Sequence, residues 1–374
     1  MSVYDVAVIG TGGVGSAAFY HLAQAGANVI GLDRFTPPHD RGSSHGDTRV
    51  IRMAYFEHPD YVPLLRQAYQ GWHALEEVAG KQIYFPTGVL QIGPEQGEVI
   101  AGIRASAAQH NLAIESFTAS ELPQAFPGVH PPENCVGLFE RDAGYLLVSE
   151  CVAAYLTAAQ KLGATLRTNT AVESWEDQSG TFAVRTATET LHAKQLVICG
   201  GAWASQLIAD LGVPLTILRK HLYWYENASP CYTAGNFPVF LMETPLGIYY
   251  GFPQIDSQGV KLARHDGGQP IERAEQHSQV EDSADRHSVQ QFMSGYLPQL
   301  SHNLARHAAC MYTMTPDQHF LVGTHPAHPG LHFAGGLSGH GFKFASALGE
   351  ILSDLVTQGQ TTAPIAFLSA TRFS

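Results

Sequence analysis

Short apolar runs separated by glycine-rich turns and amphipathic stretches organise both ends of the chain. Near the start, the apolar run Val6–Ile9 meets the glycine-rich stretch Gly10–Gly15. A helical spacing of apolar positions then continues to Ala25, and a second apolar run ends at Asp33. This order predicts a strand, a glycine turn, a helix and a second strand that ends in an acid.

Each part of this unit suits the binding of a dinucleotide. Gly10 permits a tight turn, Gly12 lets backbone N–H groups approach a pyrophosphate, and Gly15 lets the helix pack closely on the strands. Asp33 would accept hydrogen bonds from an adenosine ribose. A plain α/β turn is the alternative, but the complete strand–turn–helix–strand context favours a dinucleotide site. The pattern does not distinguish FAD from NAD.

The remaining patterns predict helices and strands along the whole chain. We expect helices at residues 61–78, 99–110, 149–162 (capped by Ser149), 203–211, 285–297 and 342–356. We expect strands at residues 87–93, 165–167, 172–175, 182–186, 190–192, 222–225, 247–252, 259–265 and 331–334, and a buried strand that begins at 195 and ends in Gly200-Gly201. A second glycine-rich stretch, residues 335–341, opens the last helix and provides another positive helix end for an anionic group.

These elements predict an α/β (α+β) fold with two domains, which suits a chain of 374 residues. A Rossmann-like nucleotide domain would be assembled from residues 1–80, 146–215 and 310–374. Residues 81–145 and 216–309 would form a substrate domain on a mainly antiparallel sheet, since this part is rich in aromatic strands.

A loop rich in Pro, Gly, Ser and His joins the first unit to the first long helix and ends in Arg49 and Arg52. In a helical turn this spacing would place both arginines on one side. The loop is either a solvated surface segment or a cover over the cofactor that supplies fixed cations. The sequence leaves both interpretations open at this point.

Composition excludes several classes of protein. The net charge of −12 argues against nucleic acid or an anionic membrane as a partner, although local cations can still bind an anionic substrate. No run of eighteen apolar residues occurs, and the first strand begins too early to leave room for a signal peptide. The five scattered cysteines contain no CxxC pair, so we expect a reducing cytoplasm, no disulfide framework and no metal site.

Longer motifs resemble the monomeric sarcosine oxidase and N-methyltryptophan oxidase family of flavoenzymes. The resemblance covers essentially the whole chain and is carried by residues 37–39, 42–52, 138–140, 249–253, 261–262, 310–313 and 336–344. Met53 and Phe56 depart from the His and Gly of the better-known members, and the substrate domain diverges more. These departures concern the identity of the substrate, not the chemistry.

The resemblance implies FAD as the cofactor, held covalently through its 8α-methyl group by Cys310. An isolated cysteine is more often a small buried apolar residue, but the surrounding motif Cys310–Thr313 favours the link. The other four cysteines are expected to be buried apolar residues. The resemblance also implies the cofactor-binding set Gly10, Gly12, Gly15, Asp33, Arg34, Ser43, Thr48, Val172, Gly339, Gly341 and Lys343.

The family also implies roles for individual side chains. Arg52 and Lys343, with Tyr312, would bind the substrate carboxylate so that a C–H bond points at flavin N5. Lys261 would stabilise the negative charge that develops on O2 during reoxidation. Polar groups around the flavin and substrate would be Arg49, His45, Tyr250 and His265; no obligatory general base is expected.

The activity that the resemblance implies is oxidative demethylation of an N-methyl amino acid by O2, with sarcosine-type substrates first and a monomeric protein. N-methyl-L-tryptophan and the cyclic amino acids L-pipecolate and L-proline are alternative substrates. An NAD(P)-dependent dehydrogenase and a non-catalytic flavin-binding subunit are alternatives of other kinds. Cys310 and Lys261 argue against the dehydrogenase, and retention of Arg52, Lys261 and Lys343 argues against the scaffold.

Overall fold

The computed structural model describes residues 3–373, so the predicted domain limits at residues 1 and 374 lie outside the described residues. The strands are β1 (Val3–Ile9), β2 (Val29–Leu32), β3 (Thr48–Ile51), β4 (Tyr84–Phe85), β5 (Val89–Pro94), β6 (Glu115–Thr118), β7 (Cys135–Glu140), β8 (Gly144–Leu147), β9 (Thr165–Arg167), β10 (Val172–Asp177), β11 (Phe182–Thr186), β12 (Thr190–Ile198), β13 (Thr216–Tyr225), β14 (Val239–Thr244), β15 (Gly247–Phe252), β16 (Val260–Arg264), β17 (Gln269–Ile271), β18 (Leu304–Met314), β19 (Leu321–Thr324) and β20 (Leu331–Gly335). The α-helices are α1 (Gly13–Gln24), α2 (Tyr61–Ala79), α3 (Glu98–His110), α4 (Leu122–Ala125), α5 (Val148–Lys161), α6 (Ala204–Leu207), α7 (Ser283–Tyr296) and α8 (Ala345–Gln358).

The first sheet contains the predicted nucleotide-binding unit. Its order is β10-β11-β12-β1-β2-β9, with β20 on the second half of β12 and β19 on β20. β12, β1, β2, β9 and β20 are parallel. Val6 and Val8 face one apolar core with helices α1, α5 and α8, whereas Ala7 and Ile9 face another, so β1 is buried on both faces as parallel strands require.

The second sheet has nine strands and is mainly antiparallel, as predicted. Its order is β17-β13-β16-β15-β14-β5-β7-β6, with β18 along the whole of β13, and only β14 and β5 pair in parallel. Strands from residues 89–140 therefore join strands from residues 216–314 in one sheet. A third, small sheet has the order β3-β8-β4. The predicted domain limits at 145/146 and 309/310 fall inside β8 and β18, and the division into two domains stays a prediction.

The glycine turn has the conformation that the motif demands. Gly10 has a φ of +85°, and a Cβ on Gly15 would lie 1.8 Å from the Gly10 carbonyl oxygen. Only glycine allows α1 to approach β1 so closely. Gly349 of α8 lies equally close to α1, since its Cβ would come within 2.4 Å of the Ala17 Cβ.

Three local predictions were wrong. Ser149 does not cap α5, which begins at Val148 directly after β8, so Ser149 lies within the first turn. The stretch 203–211 is not one helix but α6 between two 3-10 turns, because Ile208, with a φ of −128° and a ψ of 32°, leaves the helical conformation after α6. The strands predicted at 190–192 and from 195 are the single strand β12, which pairs with β11 along one half and with β20 along the other. Over residues 3–373, none of the helices is both long enough and apolar enough to cross a membrane.

Candidate active site

One cavity runs from the carboxyl ends of β1 and β2 to the face of the second sheet. Gly10, Asp33 and Gly200 line one end, and Tyr250 and Lys343 line the other. Parallel strands present their carboxyl ends at the same edge of a sheet, which is where α/β sheets bind nucleotides. The cavity therefore connects the predicted nucleotide site with the predicted substrate site.

At the nucleotide end, Asp33 ties the glycine turn to the next loop. Its carboxylate accepts hydrogen bonds from Thr11 N at 2.8 Å and from Phe35 N at 2.9 Å. Burial would raise the pKa of Asp33, but hydrogen bonds from His39, Phe35 and Thr11 lower it. Arg34, which also lines the cavity, lies 5.4 Å from the Trp203 ring centroid. Asp33 is thus ionised and faces the cavity where a ribose would lie.

The second glycine-rich stretch passes directly over the Tyr312 ring. Gly339 has a φ of +81°, and a Cβ there would lie 2.4 Å from the ring carbons of Tyr312. Gly341 is equally constrained, because its Cβ would meet Leu337 at 2.5 Å. The backbone at positions 339 and 341 can therefore form the cavity wall only with glycine.

The loop of residues 43–49 crosses the middle of the cavity. The Ser43 hydroxyl donates to Met311 O at 2.6 Å, and Arg49 donates to Ser43 O at 2.8 Å and to Thr48 O at 2.9 Å. His45 is buried, and its Nε2 has no hydrogen-bond partner among the described residues. Burial, Arg49 and Lys261 lower the pKa of His45 to about 3, so its ring is neutral.

Lys261 lies behind this loop. Its ammonium donates to Gly46 O at 2.5 Å, to Thr48 O at 2.9 Å and to Thr48 Oγ1 at 3.2 Å, and it lies 4.7 Å from the Phe252 ring centroid. Burial and Arg49 hold the pKa of Lys261 well below its ordinary value. Lys261 supports the cavity wall and does not line the cavity itself.

Cys310 lies on β18 opposite Lys220 of β13, and its side chain packs with Leu222, Trp224 and Tyr312. It is buried and is not among the cavity-lining residues, although its neighbours Met311 and Tyr312 are. Burial raises the pKa of the Cys310 thiol, while Arg49, Lys261 and Lys220 oppose that rise. The Cys310 thiol is thus buried next in sequence to two residues that line the cavity.

At the substrate end, Arg52 is buried and already holds a carboxylate. Its Nη2 donates to both oxygens of Glu57, at 3.0 and 2.9 Å, and its Nη1 donates to Ala54 O at 2.9 Å. The guanidinium also lies 4.5 Å from the Tyr55 ring centroid. Burial would raise the pKa of Glu57, but Arg52, His340 and Lys343 lower it to about 2. The Glu57 carboxylate is therefore ionised at ordinary pH.

Lys343 is the second buried cation at this end. Its ammonium donates to His340 O at 2.8 Å and to the Tyr55 hydroxyl at 3.4 Å. Burial and Arg52 lower the pKa of Lys343 to about 7, although Glu57 opposes this effect. Close charges of the same sign therefore make Lys343 readily deprotonated and responsive to a bound anion.

An aromatic row borders the same end of the cavity. Ring centroids of Tyr250 and His265 lie 6.2 Å apart, and those of His265 and Tyr312 lie 6.0 Å apart. Burial lowers the pKa of His265 to about 4, so this ring is neutral at ordinary pH. The row offers apolar walls and polar edges to a small ligand.

The predicted site residues therefore meet in one region, but not all of them face the cavity. The predicted residues that line it are Gly10, Gly12, Asp33, Arg34, Ser43, Arg49, Arg52, Val172, Tyr250, His265, Tyr312, Gly339, Gly341 and Lys343. The predicted residues that lie behind its wall are Gly15, His45, Thr48, Lys261 and Cys310. The loop that ends in Arg49 and Arg52 combines both interpretations. Residues 42–44, 49, 50 and 52 line the cavity, whereas Asp40 and Arg41 are exposed.

Sequence reasoning missed two acids that shape this site. Glu57 follows a turn and resembles a surface acid, so only its contact with Arg52 reveals it. Glu140 accepts hydrogen bonds from Met53 N and Ala54 N, both at 2.7 Å, and so fixes the backbone after Arg52. Glu140 belongs to the family motif at residues 138–140, which could have marked it as a site residue, but no role was predicted for it.

A separate cluster of Asp210, His325 and His328 lies away from the cavity. Nδ1 of His325 accepts from Ala327 N at 3.2 Å, which leaves the ring proton on Nε2, 3.1 Å from Asp210. His328 Nδ1 lies 2.9 Å from Asp177, so each of the two histidines contacts an aspartate.

The cavity fits FAD. A glycine turn and the N-terminus of α1 lie at one end, where a pyrophosphate is bound by such elements. At the far end, the glycine-walled pocket and the aromatic row leave room for a flat ring system next to two cations.

Comparison with known proteins agrees with this geometry. A family model described as FAD-dependent oxidoreductase matches residues 5–355. The chain is 40% identical to monomeric sarcosine oxidase of Streptomyces avermitilis, covering 99% of this chain and 98% of the relative. It is 36% identical to N-methyl-L-tryptophan oxidase of Yersinia pestis, covering 99% of each.

Among solved structures, NikD, an unusual amino acid oxidase essential for nikkomycin biosynthesis, has a TM-score of 0.87 at 24% identity, covering 99% of this chain and 98% of that one. That likeness shows the fold. The glycine motif left FAD and NAD open, and the family match assigns FAD. The chain belongs to the family of FAD-dependent oxidoreductases, the sarcosine oxidase-like enzymes among them.

Proposed function

We propose that this protein oxidises N-methyl amino acids, with sarcosine-type substrates first. The N-methyl amine would be oxidised with O2 as the acceptor, giving hydrogen peroxide, and water would hydrolyse the resulting imine to formaldehyde and the primary amino acid. Relatives that cover the whole chain carry the names monomeric sarcosine oxidase and N-methyl-L-tryptophan oxidase. The observation that carries the proposal is the pair of buried cations, Arg52 and Lys343, at the far end of the cavity.

Two cations beside one another suit a carboxylate better than any neutral group. In this proposal, the substrate carboxylate takes the place of Glu57 on Arg52 and accepts a further hydrogen bond from Lys343. Tyr312, Tyr250 and His265 then border the methyl and methylene groups. Holding the carboxylate fixes which C–H bond faces the cofactor, and this orientation lowers the barrier.

The amine has to react as its neutral form, because its lone pair must be free. The pKa of His265 is lowered to about 4 by burial, so this ring can accept a hydrogen bond without protonating the amine. The cationic surroundings of Arg49, Arg52 and Lys343 also disfavour a protonated amine. The site thus favours neutral amine through its electrostatics, and no side chain is assigned as an obligatory base.

FAD, when bound, accepts the hydride equivalent and returns the electrons to O2. We assign Lys261 and Arg49 to stabilising the negative charge that develops on oxygen, with His45 as a neutral neighbour. We assign Cys310 to a covalent link with the flavin, because its neighbours Met311 and Tyr312 line the cavity and the stretch 310–313 resembles the family motif. Ser43, Thr48, Arg34, Val172 and the glycines would hold the rest of the cofactor.

N-methyl-L-tryptophan is the second candidate substrate, supported by the 36% identical relative. L-pipecolate and L-proline, and a non-catalytic flavin-binding subunit, are the further alternatives. We further propose that the protein is a cytoplasmic monomer. The five thiols are free in the described structure, which suits a reducing compartment.

The test is reduction of the purified protein's flavin without oxygen by sarcosine, N-methyl-L-tryptophan, L-pipecolate and L-proline, each followed by its absorption spectrum. Rapid bleaching by sarcosine, with formaldehyde and peroxide formed on admitting O2, supports the proposal. If another of the four compounds bleaches the flavin faster than sarcosine does, that compound is the preferred substrate. Bleaching by none of them contradicts amino-acid oxidation.

A further inference from the structure

We propose that Tyr55 is a positioning residue that holds both carboxylate-binding cations in place, and that His340 sets the direction of its hydroxyl. This inference rests on the proposed function of Arg52 and Lys343. Tyr55 is fully buried and does not line the cavity, so it does not reach the substrate. It acts through the two cations that do.

The hydrogen bonds that join Gln318, His340, Tyr55 and Lys343 form a chain, and their directions follow from its Gln318 end. Nε2 of His340 lies 3.0 Å from Gln318 O, and a carbonyl can only accept, so Nε2 carries a proton. Burial lowers the pKa of His340 to about 3, so the ring is neutral and its Nδ1 has a free lone pair. The Tyr55 hydroxyl, 2.5 Å from Nδ1, must therefore donate to it.

Once its proton points at His340, the Tyr55 oxygen can only accept on its other side. That side faces the Lys343 ammonium at 3.4 Å. His340 O accepts a second ammonium proton at 2.8 Å. With two protons held by protein, the third N–H of Lys343 is left for the cavity, which Lys343 lines.

The same tyrosine ring supports the other cation. The Arg52 guanidinium lies 4.5 Å from the Tyr55 ring centroid, and Lys343 Nζ lies 5.0 Å from it. A ring face attracts a cation and does not compete for its N–H donors. One side chain thus sets the separation of the two cations, and a carboxylate must match that separation.

The test compares Tyr55→Phe with the control Tyr61→Phe in the flavin-loaded protein. Tyr61 is buried in the same cluster, 5.2 Å from Tyr55 between centroids, but its hydroxyl contacts His319 and Phe320 N. The probe is acetate, read by the perturbation of the flavin spectrum, with acetamide as the uncharged probe. The fold change in the acetate Kd is measured for each variant.

We expect Tyr55→Phe to weaken acetate binding about 3- to 10-fold, the size of one hydrogen bond, with acetamide binding unchanged. KM for the amino acid should rise by the same factor while kcat changes less. Tyr61→Phe should leave acetate binding as in wild type. His340→Leu should weaken it in the same direction, and the double variant should be no weaker than Tyr55→Phe, because His340 acts through Tyr55.

Unchanged acetate binding in Tyr55→Phe would overturn the inference while leaving the proposed function intact. Equal weakening in Tyr61→Phe would also overturn it, since the effect would then be general loosening of the cluster. If the losses of acetate affinity were additive in the double variant, His340 would not act on Lys343 through Tyr55, and that part of the inference would be wrong. Failure of wild-type protein to bind acetate at all would instead contradict the proposed function.

Discussion

Glu57 directs both of its carboxylate oxygens at the same guanidinium nitrogen of Arg52, at 3.0 and 2.9 Å, within the cavity that Arg52 lines. A buried arginine without a counter-ion would be costly, and Glu57 supplies one. In the proposed function, a substrate carboxylate would bind at the position of this carboxylate. The protein therefore carries its own competitor for the proposed ligand.

Replacing this competitor should tighten ligand binding. We expect Glu57→Gln to lower the Kd for acetate by about tenfold, because the ligand no longer separates an existing ion pair. Titration of the flavin spectrum with acetate measures this. The exposed acid Glu77 gives the control variant Glu77→Gln, which should behave as wild type. Weaker acetate binding in Glu57→Gln would mean that Glu57 assists the ligand and does not compete with it.

Ligand binding should depend on the charge of Lys343. Because the pKa of Lys343 is lowered to about 7, its ammonium is present below that pH and lost above it. We expect acetate binding to weaken as the pH rises above about 7. Arg49, Arg52, Glu57, His265 and His340 face the same ammonium. The pKa values of Glu57, His265 and His340 are lowered to about 2, 4 and 3, so none of these three groups titrates near this pH.

Lys343→Met should weaken acetate binding at low pH and abolish this pH dependence. Lys220→Met is the matched control, since Lys220 is also buried, has a pKa lowered to about 8 by burial, and does not line the cavity. Acetate titrations between pH 6 and pH 9 decide the question. If the pH dependence of acetate binding persisted in Lys343→Met and vanished in Lys220→Met, it would arise from Lys220, and the prediction would be wrong.

Lys261 should matter mainly for the reaction with oxygen. We expect Lys261→Met to slow reoxidation of the reduced flavin by O2 at least tenfold, with a much smaller effect on anaerobic reduction by the amine, because only the oxygen step develops a new negative charge. Stopped-flow absorbance measures the two half-reactions separately. Lys261 also holds Gly46 and Thr48, so equal slowing of both steps would indicate that its role is to support that loop.

Cys310 should determine whether the flavin is covalently bound. We expect Cys310→Ser to release its flavin into the supernatant after acid precipitation, whereas wild type keeps its colour in the pellet. Cys199→Ser is the matched control, because Cys199 lines the same cavity at its nucleotide end. Flavin that stays attached in Cys310→Ser, or that is released from Cys199→Ser, would place the link elsewhere.

Much of this protein follows from local sequence. The glycine turn, its flanking strands and α1 were predicted correctly, because close packing of Gly15 on Gly10 leaves few alternatives to that sequence. The mainly antiparallel second sheet was also predicted, since aromatic-rich segments with an alternating pattern are typical of β-strands. Some errors lay at element ends, as at Ser149, where cap and turn residues compete over short distances. Others concerned whole elements, since 203–211 is not one helix and strands β14 and β18 were not predicted.

What only the tertiary structure decided is how distant segments meet. The sequence by itself determined the family motifs, the fold class and the presence of cations at Arg52, Lys261 and Lys343. It did not place Glu57 on Arg52, or Lys261 behind the cavity wall, because those contacts join elements whose separation is set by packing. Charge and burial are properties of an assembled site, so pKa values and hydrogen-bond directions follow only once the chain has folded.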